Sequence, residues 1–181
     1  MSDTASALAF TGERYHPEVP REMAYEHWHR YAFAMALARD RTVLDAACGE
    51  GYGAALLART ASSVLGVDLS AAAVAHASAR YAHPRLRFRQ ADVLTLDGVT
   101  DASIDLVISF ETLEHLAEHD TLMAGFSRVL KPDGLLVIST PDRHTYSELA
   151  GHQNPHHVRE LYRGEFEALI ERHFAHHRLY G

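Results

Sequence analysis

The sequence contains one cysteine, Cys48, and one lysine, Lys131, among its 181 residues. A single cysteine excludes a disulfide framework and a cysteine-based zinc module. A single lysine means that a phosphate-binding loop or a Tyr-x-x-x-Lys dehydrogenase would have to use Lys131. No apolar run approaches the roughly 18 residues of a membrane-spanning helix, and the amino terminus lacks the basic start and apolar stretch of a signal peptide. These absences predict a cytoplasmic protein that does not enter a membrane.

The composition is typical of an ordinary globular protein, with 47% hydrophobic and 23% charged residues. The net charge of −7 disfavours a long nucleic acid or an anionic membrane as a partner. The length suits one domain over residues 1–181, with a helical cap segment at 1–40 and a sheet core at 41–181.

Short aliphatic runs alternate with alanine-rich helical patterns along the chain. Strands are predicted at 42–45, 63–68, 86–90, 105–110 and 135–140, and helices at 20–39, 52–60, 70–82, 111–129 and 163–173. Strands that are apolar on both faces and separated by helices indicate a parallel sheet whose faces are covered. The sequence therefore predicts an α/β fold with a doubly wound, mostly parallel sheet. The third strand, with Arg85, Arg87 and Arg89 on one face, suits an edge of that sheet.

A glycine-rich turn follows the first predicted strand. Asp45 ends the strand, and Gly49, Gly51 and Gly53 precede the next helix. Glycines allow a ligand to approach the backbone closely, although a tight turn without a ligand would explain the G-x-G-x-G pattern alone. The pattern differs from the G-x-G-x-x-G of nicotinamide-dependent dehydrogenases, which disfavours that class.

Two further acids end the second and third strands. Asp68 is placed where a carboxylate can accept both hydroxyls of a ribose, and Asp92 is placed to accept the amine of an adenine. Each acid alone could be a helix cap. Together with Asp45 and the glycines they predict a track for an amine, a ribose and a base.

These motifs resemble those of the class I S-adenosylmethionine-dependent methyltransferases over about residues 40–140. The resemblance implies a Rossmann-like methyltransferase fold with S-adenosylmethionine as cofactor. It implies that the glycine loop cradles the methionine part, Asp45 reaches its amine, Asp68 holds the ribose and Asp92 holds the adenine. It also places Leu69, Val93 and Phe110 beside the cofactor. The segment 130–140 matches the entry to the family's fifth strand and puts Lys131 in a structural turn.

The candidate catalytic residues follow the fourth strand. Glu111, Glu114 and His115 are spaced so that one helix face could present all three. One interpretation is a solvated first turn with acids favoured by the helix dipole. The other is that His115 or one of the glutamates acts as a general base on an acceptor hydroxyl.

The E-x-x-E-H pattern also resembles the metal site of small-RNA 3′-terminal 2′-O-methyltransferases, and a similar stretch occurs in ubiquinone-pathway O-methyltransferases. The resemblance implies that His157 is the fourth ligand beside Glu111, Glu114 and His115. Two carboxylates and two imidazoles would suit Mn²⁺, Fe²⁺ or Zn²⁺ better than Mg²⁺.

The flanking segments 10–17, 26–31 and 154–161 resemble methyltransferases of surface-polysaccharide gene clusters, including those that cap O-antigen chains. The resemblance implies that Tyr15 and Arg30 contact the cofactor, with Arg30 at the methionine carboxylate. A surface ion pair between Arg30 and Glu26 is the alternative.

The carboxyl-terminal segment departs from the family. A sixth strand is predicted at 176–180, and the antiparallel seventh strand of the family is missing. This predicts either a fragment of a longer protein or a partner chain, such as a second copy, that completes the sheet edge.

The function predicted from the sequence is methyl transfer from S-adenosylmethionine to a hydroxyl of a sugar or similar small molecule. The alternatives are metal-assisted 2′-O-methylation of an RNA 3′ end and a cofactor-binding module without catalysis.

Overall fold

The computed structural model describes residues 21–180, with side chains from residue 27 onward. Within that range the strands are β1 (Thr42–Ala46), β2 (Ser63–Asp68), β3 (Leu86–Gln90), β4 (Ile104–Phe110) and β5 (Leu130–Ser139). The helices are α1 (Arg21–Leu37), α2 (Tyr52–Leu57), α3 (Ala71–Arg80), α4 (His119–Val129) and α5 (Arg163–His173). A 3-10 turn covers Leu113–His115, and a π-helical segment covers His144–Leu149.

The five strands form one parallel sheet in the order β3-β2-β1-β4-β5. The order reverses between β1 and β4, so the loops after these two strands border a crevice at the carboxyl edge of the sheet. The doubly wound parallel sheet predicted from the alternation of strands and helices is confirmed.

Successive strand residues point to opposite faces, and each face is covered by helices. Val43 belongs to the core under α1 and α2, whereas Leu44 belongs to the core under α4 and α5. Both side chains are fully buried. This burial on both faces explains why the central strands are apolar without alternation. None of the helices in the described range is long and apolar enough to cross a bilayer.

The two edge strands differ in their protection. Arg85 and Arg87 are exposed at the β3 edge, as predicted, whereas Arg89 is half-buried and donates to the carbonyl of Gly98 at 3.1 Å. At the β5 edge the register between β4 and β5 shifts where the segment 131–134 bulges out of the strand. Lys131 lies in this bulge and donates to Asp105 at 2.7 Å, which agrees with a structural role.

Two predicted elements are wrong. The helix expected over 111–129 is divided, because Glu111 adopts a left-handed φ of 50° and a separate 3-10 turn precedes α4. The left-handed backbone continues the sheet hydrogen bonds by one residue and then redirects the chain. The sixth strand expected at 176–180 is also absent from the described residues; this segment makes no strand pairing, and the ring of Tyr180 packs against Phe33 of α1 with centroids 5.8 Å apart.

Candidate active site

The three positions after β1 are glycine for different structural reasons. A Cβ at Gly53 would lie 2.0 Å from the ring of Tyr31, and one at Gly51 would lie 2.7 Å from Phe88. Both positions are therefore closed by packing. A Cβ at Gly49 would meet nothing within 4 Å, and Gly49 has a left-handed φ of 53°. Gly49 is the glycine around which a ligand can approach the backbone.

Asp45 is buried at the end of β1 beneath an aromatic residue of α1. Asp45 is only 1% exposed, and the hydroxyl of Tyr31 donates to its Oδ1 at 3.1 Å. Burial is the main reason that the pKa of Asp45 rises to about 7, and the hydrogen bond from Tyr31 opposes that rise. The ring of Tyr31 is itself held edge-on by Phe110, with centroids 5.1 Å apart. A ligand amine bound to this carboxylate would share it with the Tyr31 hydroxyl or displace that hydroxyl.

Asp68 connects the glycine turn to the end of β2. Its Oδ2 accepts the Gly49 amide at 2.9 Å, and its Oδ1 accepts the Ser70 amide at 2.8 Å. Asp68 therefore organises the glycine turn at the position where the sequence predicts contact with a ribose.

The residues predicted to contact the adenine base of the cofactor follow β2 and β3. Leu69 is an exposed apolar side chain with 67% of its surface accessible, as a residue that covers a planar base would be. Asp92 is half-buried and its Oδ1 accepts the Leu94 amide at 2.8 Å. The side chain of Val93 is buried in the core, so only its backbone is placed to meet a ligand.

Arg30 connects α1 to the end of β4. Its Nη2 lies 3.6 Å from Oε1 of Glu111, and Ser139 donates to the same oxygen at 2.6 Å. The guanidinium of Arg30, which is predicted to meet the methionine carboxylate, thus lies at the crevice and is paired there with Glu111. The side chain of Glu26, the other partner considered for Arg30, lies outside the described residues, as does Tyr15.

Glu114 is a buried acid in the 3-10 turn after β4. It is 1% exposed, and the hydroxyl of Thr140 donates to its Oε2 at 2.8 Å. Burial, followed by the negative charge of Glu111, raises the pKa of Glu114 to about 7.

Two histidines beside Glu114 have their ring orientation set by neighbouring groups. The Nδ1 of His115 lies 3.0 Å from the carbonyl oxygen of His156. Because a carbonyl only accepts, Nδ1 carries the proton, and Nε2 of the neutral ring carries a lone pair. In the same way, Nδ1 of His157 lies 2.5 Å from the carboxylate of Glu160. Both histidines can therefore act as bases or metal ligands through Nε2.

One ligand atom from each of Glu114, His115 and His157 lies within 4.8 Å of the other two. Glu111 does not join this group. The structure thus brings together three of the four predicted metal-site residues, from the 3-10 turn and a loop about 40 positions later.

Four residues that hold the site were not among the sequence candidates. They are Tyr31, which covers Asp45; Ser139 and Thr140, which donate to the glutamates; and Glu160, which orients His157. Only Glu160 had a local signal, because it lies three positions after His157. The other three contact their partners from positions distant in the sequence, so sequence spacing does not predict these contacts.

Comparison with known proteins identifies this arrangement. A family model described as "Methyltransferase domain" matches residues 44–138. The chain belongs to this methyltransferase family. The matched residues include the glycine turn, the three acids and the 3-10 turn after β4.

Two relatives are named by their cofactor or their reaction. A protein of Mycolicibacterium smegmatis named "Probable S-adenosylmethionine-dependent methyltransferase" is 40% identical over 169 residues, which are 92% of this chain and 65% of that protein. A ubiquinone biosynthesis O-methyltransferase of Paracidovorax citrulli is 34% identical over 112 residues, covering 60% of this chain and 47% of that protein. The chain thus spans less than two thirds of these relatives.

A solved structure agrees on the fold. The YcgJ protein of Bacillus subtilis superposes with a TM-score of 0.71 over 81% of this chain and 68% of that one, at 24% identity. The two chains therefore share the same fold.

The residues present fit S-adenosylmethionine. Gly49 leaves open space beside the backbone, Asp68 presents a carboxylate at the end of β2, and Leu69 offers an exposed apolar surface. A buried acid at the end of β1 suits the ammonium of the methionine part.

Proposed function

We propose that this methyltransferase methylates a hydroxyl of a sugar or similar small molecule, with His115 as the general base. The observation that carries the proposal is the tautomer of His115, whose Nδ1 is held by the His156 carbonyl so that Nε2 is free to take a proton. A neutral hydroxyl is a weak nucleophile, and a positioned base contributes about 10²–10⁴ to the rate of such a step.

The reaction requires alignment more than activation of the methyl group. S-adenosylmethionine, when bound, supplies a methyl carbon on a positively charged sulfur. Asp68, Leu69 and Asp92 hold the nucleoside, and Asp45 attracts the ammonium. The acceptor oxygen forms a bond to the methyl carbon as the bond from sulfur to that carbon breaks. His115 accepts the hydroxyl proton at Nε2, and the products are a methyl ether and S-adenosylhomocysteine.

The comparisons support an oxygen acceptor, because one relative is named an O-methyltransferase. The resemblance of the flanking segments 10–17, 26–31 and 154–161 to polysaccharide-cluster methyltransferases supports a sugar. A terminal ribose of RNA is the second candidate, favoured by the cluster of Glu114, His115 and His157. The net charge of −7 favours the small acceptor over RNA.

The same cluster suits a divalent metal. Glu114, His115 and His157 offer one carboxylate and two imidazoles, a donor set for Mn²⁺, Fe²⁺ or Zn²⁺. Glu160 orients His157 as an outer carboxylate does in histidine metal sites. A metal held there would lower the pKa of an acceptor hydroxyl.

Replacing His115 tests the general base. We expect His115→Ala to lower turnover by about 10²–10⁴ and to leave the Kd for S-adenosylmethionine unchanged. Release of S-adenosylhomocysteine with a panel of sugars and phenols measures turnover, and calorimetry measures the Kd. His176→Ala is the control, because His176 is exposed and lies outside the cluster.

Equal losses of turnover and cofactor affinity in His115→Ala would contradict the role of base and indicate a structural residue. Cofactor binding by the unsubstituted protein with no methylation across the panel would favour a binding module.

Chelation tests the metal. If a metal held by Glu114, His115 and His157 activates the acceptor in place of an unligated His115, dialysis against EDTA will abolish turnover and Mn²⁺ will restore it. His157→Ala will then reproduce the loss, because it removes one of three ligands. Turnover that is insensitive to the chelator would exclude a metal role.

A further inference from the structure

A cavity open to solvent is lined by His157, whose ring packs against that of the candidate base His115 with centroids 5.1 Å apart. It has a volume of about 660 Å³ and lies between the π-helical segment and the loop that follows it. Its walls include Arg143, Gln153, Asn154, His157 and Arg159. Amides and guanidinium groups recognise hydroxyls and anions, so the cavity suits a polar ligand.

Two of these side chains are not used by the fold. Among the described residues, nothing forms a hydrogen bond or ion pair with the amide of Gln153 or the guanidinium of Arg159. The other arginine, Arg143, lies 3.7 Å from Glu148 and stacks 5.0 Å above the ring of Tyr162. Arg159 is therefore the cation that remains for a ligand.

The acid in the cavity wall, Glu160, does not form an ion pair with Arg159. The carboxylate of Glu160 accepts the hydroxyl of Ser147 on one oxygen and Nδ1 of His157 on the other, at 2.5 Å for the histidine. Both oxygens of the Glu160 carboxylate are thus already engaged by groups of the fold.

The cavity wall is attached to the catalytic turn. The amides of Val158 and Arg159 both donate to the carbonyl of Glu114, at 2.8 and 3.0 Å. His115 is bonded to the neighbouring carbonyl of His156 at 3.0 Å. A molecule bound in the cavity is consequently held in a fixed position relative to His115 and His157.

We propose that this cavity is the acceptor subsite and that it takes a hydroxylated molecule carrying a phosphate or carboxylate group. Arg159 binds the anion, Gln153 binds a hydroxyl, and the hydroxyl to be methylated lies at the histidines. The proposal rests on the proposed function, because it identifies the cavity beside the base as the place of the acceptor.

Binding of three glucose derivatives, two of them anionic and one neutral, tests this subsite. The protein saturated with S-adenosylhomocysteine is titrated with glucose 6-phosphate, glucuronate and methyl glucoside, and the Kd values are measured by calorimetry. We expect at least one anionic sugar to bind tenfold or more tightly than methyl glucoside. The tighter of the two anionic sugars identifies the group as phosphate or carboxylate.

Matched variants locate the charge. We expect Arg159→Gln to weaken binding of the anionic sugar at least tenfold and to leave methyl glucoside unaffected. Arg163→Gln, an exposed arginine outside the cavity, should bind like the unsubstituted protein.

Equal affinity for the three sugars, or equal behaviour of the two variants, would overturn the proposal. These titrations need no turnover, so their failure is separate from a failure of methyl transfer in the His115 experiment.

Discussion

At the scale of single residues, burial and the hydrogen bond from Tyr31 together set the pKa of Asp45, the acid proposed to face the cofactor. The acid is buried, and its pKa lies at about 7 instead of its ordinary 3.8. It therefore keeps a proton over a pH range where an exposed aspartate has lost it. A cationic amine requires the ionised form, so binding of the cofactor competes with that proton.

We expect the affinity for S-adenosylmethionine to rise as the pH increases from 6 to 7.5. The sign follows from the raised pKa of Asp45, because the protonated acid is abundant below about 7 and scarce above it. The range ends where a typical α-amino group begins to lose its own charge. Calorimetric Kd values across this range measure the effect.

Two variants test whether Asp45 and Tyr31 are responsible for this dependence of cofactor affinity on pH. Asp45→Asn should bind weakly with no dependence on pH. Tyr31→Phe should move the midpoint to higher pH, because the hydrogen bond that lowers the pKa of Asp45 is lost. An unchanged midpoint in Tyr31→Phe would show that this hydroxyl does not govern the acid.

At the scale of secondary-structure elements, Tyr31 fixes α1 onto α2. Its ring lies over Gly53, packs edge-on against Tyr52 with centroids 5.3 Å apart, and bonds to the end of β1. The glycine at position 53 is thus required by helix packing, although its motif is typical of a ligand loop.

Alanine substitutions at Gly53 and Gly49 should distinguish a glycine required for packing from a glycine required for ligand binding. Gly53→Ala places a methyl group inside the Tyr31 ring and should lower the free energy of unfolding by about 1–3 kcal/mol. Gly49→Ala meets no atom, so its stability cost is limited to roughly 1–2 kcal/mol for the left-handed backbone. Gly49→Ala should mainly weaken cofactor binding, because its methyl group occupies the open space. Urea denaturation and calorimetry measure the two effects, and a larger loss of stability in Gly49→Ala would contradict this assignment.

At the scale of the whole molecule, the sheet carries two sites at neighbouring strand ends. The acids proposed to bind the cofactor follow β1, β2 and β3, whereas the proposed base, its supporting groups and the cavity follow β4 and β5. The two sets meet at Arg30, which is predicted to contact the cofactor and lies 3.6 Å from Glu111, but Asp68 and His157 belong to different sets.

We therefore expect the stabilisation by S-adenosylhomocysteine and by Mn²⁺ to be separable. Asp68→Asn should reduce the rise in Tm caused by S-adenosylhomocysteine and retain the rise caused by Mn²⁺, and His157→Ala should do the opposite. Asparagine is chosen because Oδ1 can still accept a backbone amide at a position that organises the glycine turn. Loss of both shifts in either variant would contradict independent sites.

Most of the sheet could be predicted from the sequence. The strands at 63–68 and 86–90 and the helix at 163–173 were predicted with the boundaries observed. Each depends on local hydrophobic pattern. The division of the predicted helix at 111–129 was missed, because the left-handed Glu111 is stabilised by Ser139 of a neighbouring strand. That contact is invisible to local periodicity.

The sequence by itself determined the order of strands and helices and the placement of Asp45, Asp68 and Asp92 at strand ends, since these follow from short-range periodicity. Only the tertiary structure decided which histidine nitrogen is free, which acid is covered and which arginine lacks a partner. His115 and the carbonyl that sets its tautomer are 41 positions apart, and Tyr31 and Asp45 are 14 apart. Protonation and orientation depend on such contacts, because burial and hydrogen bonding act through space and not along the chain.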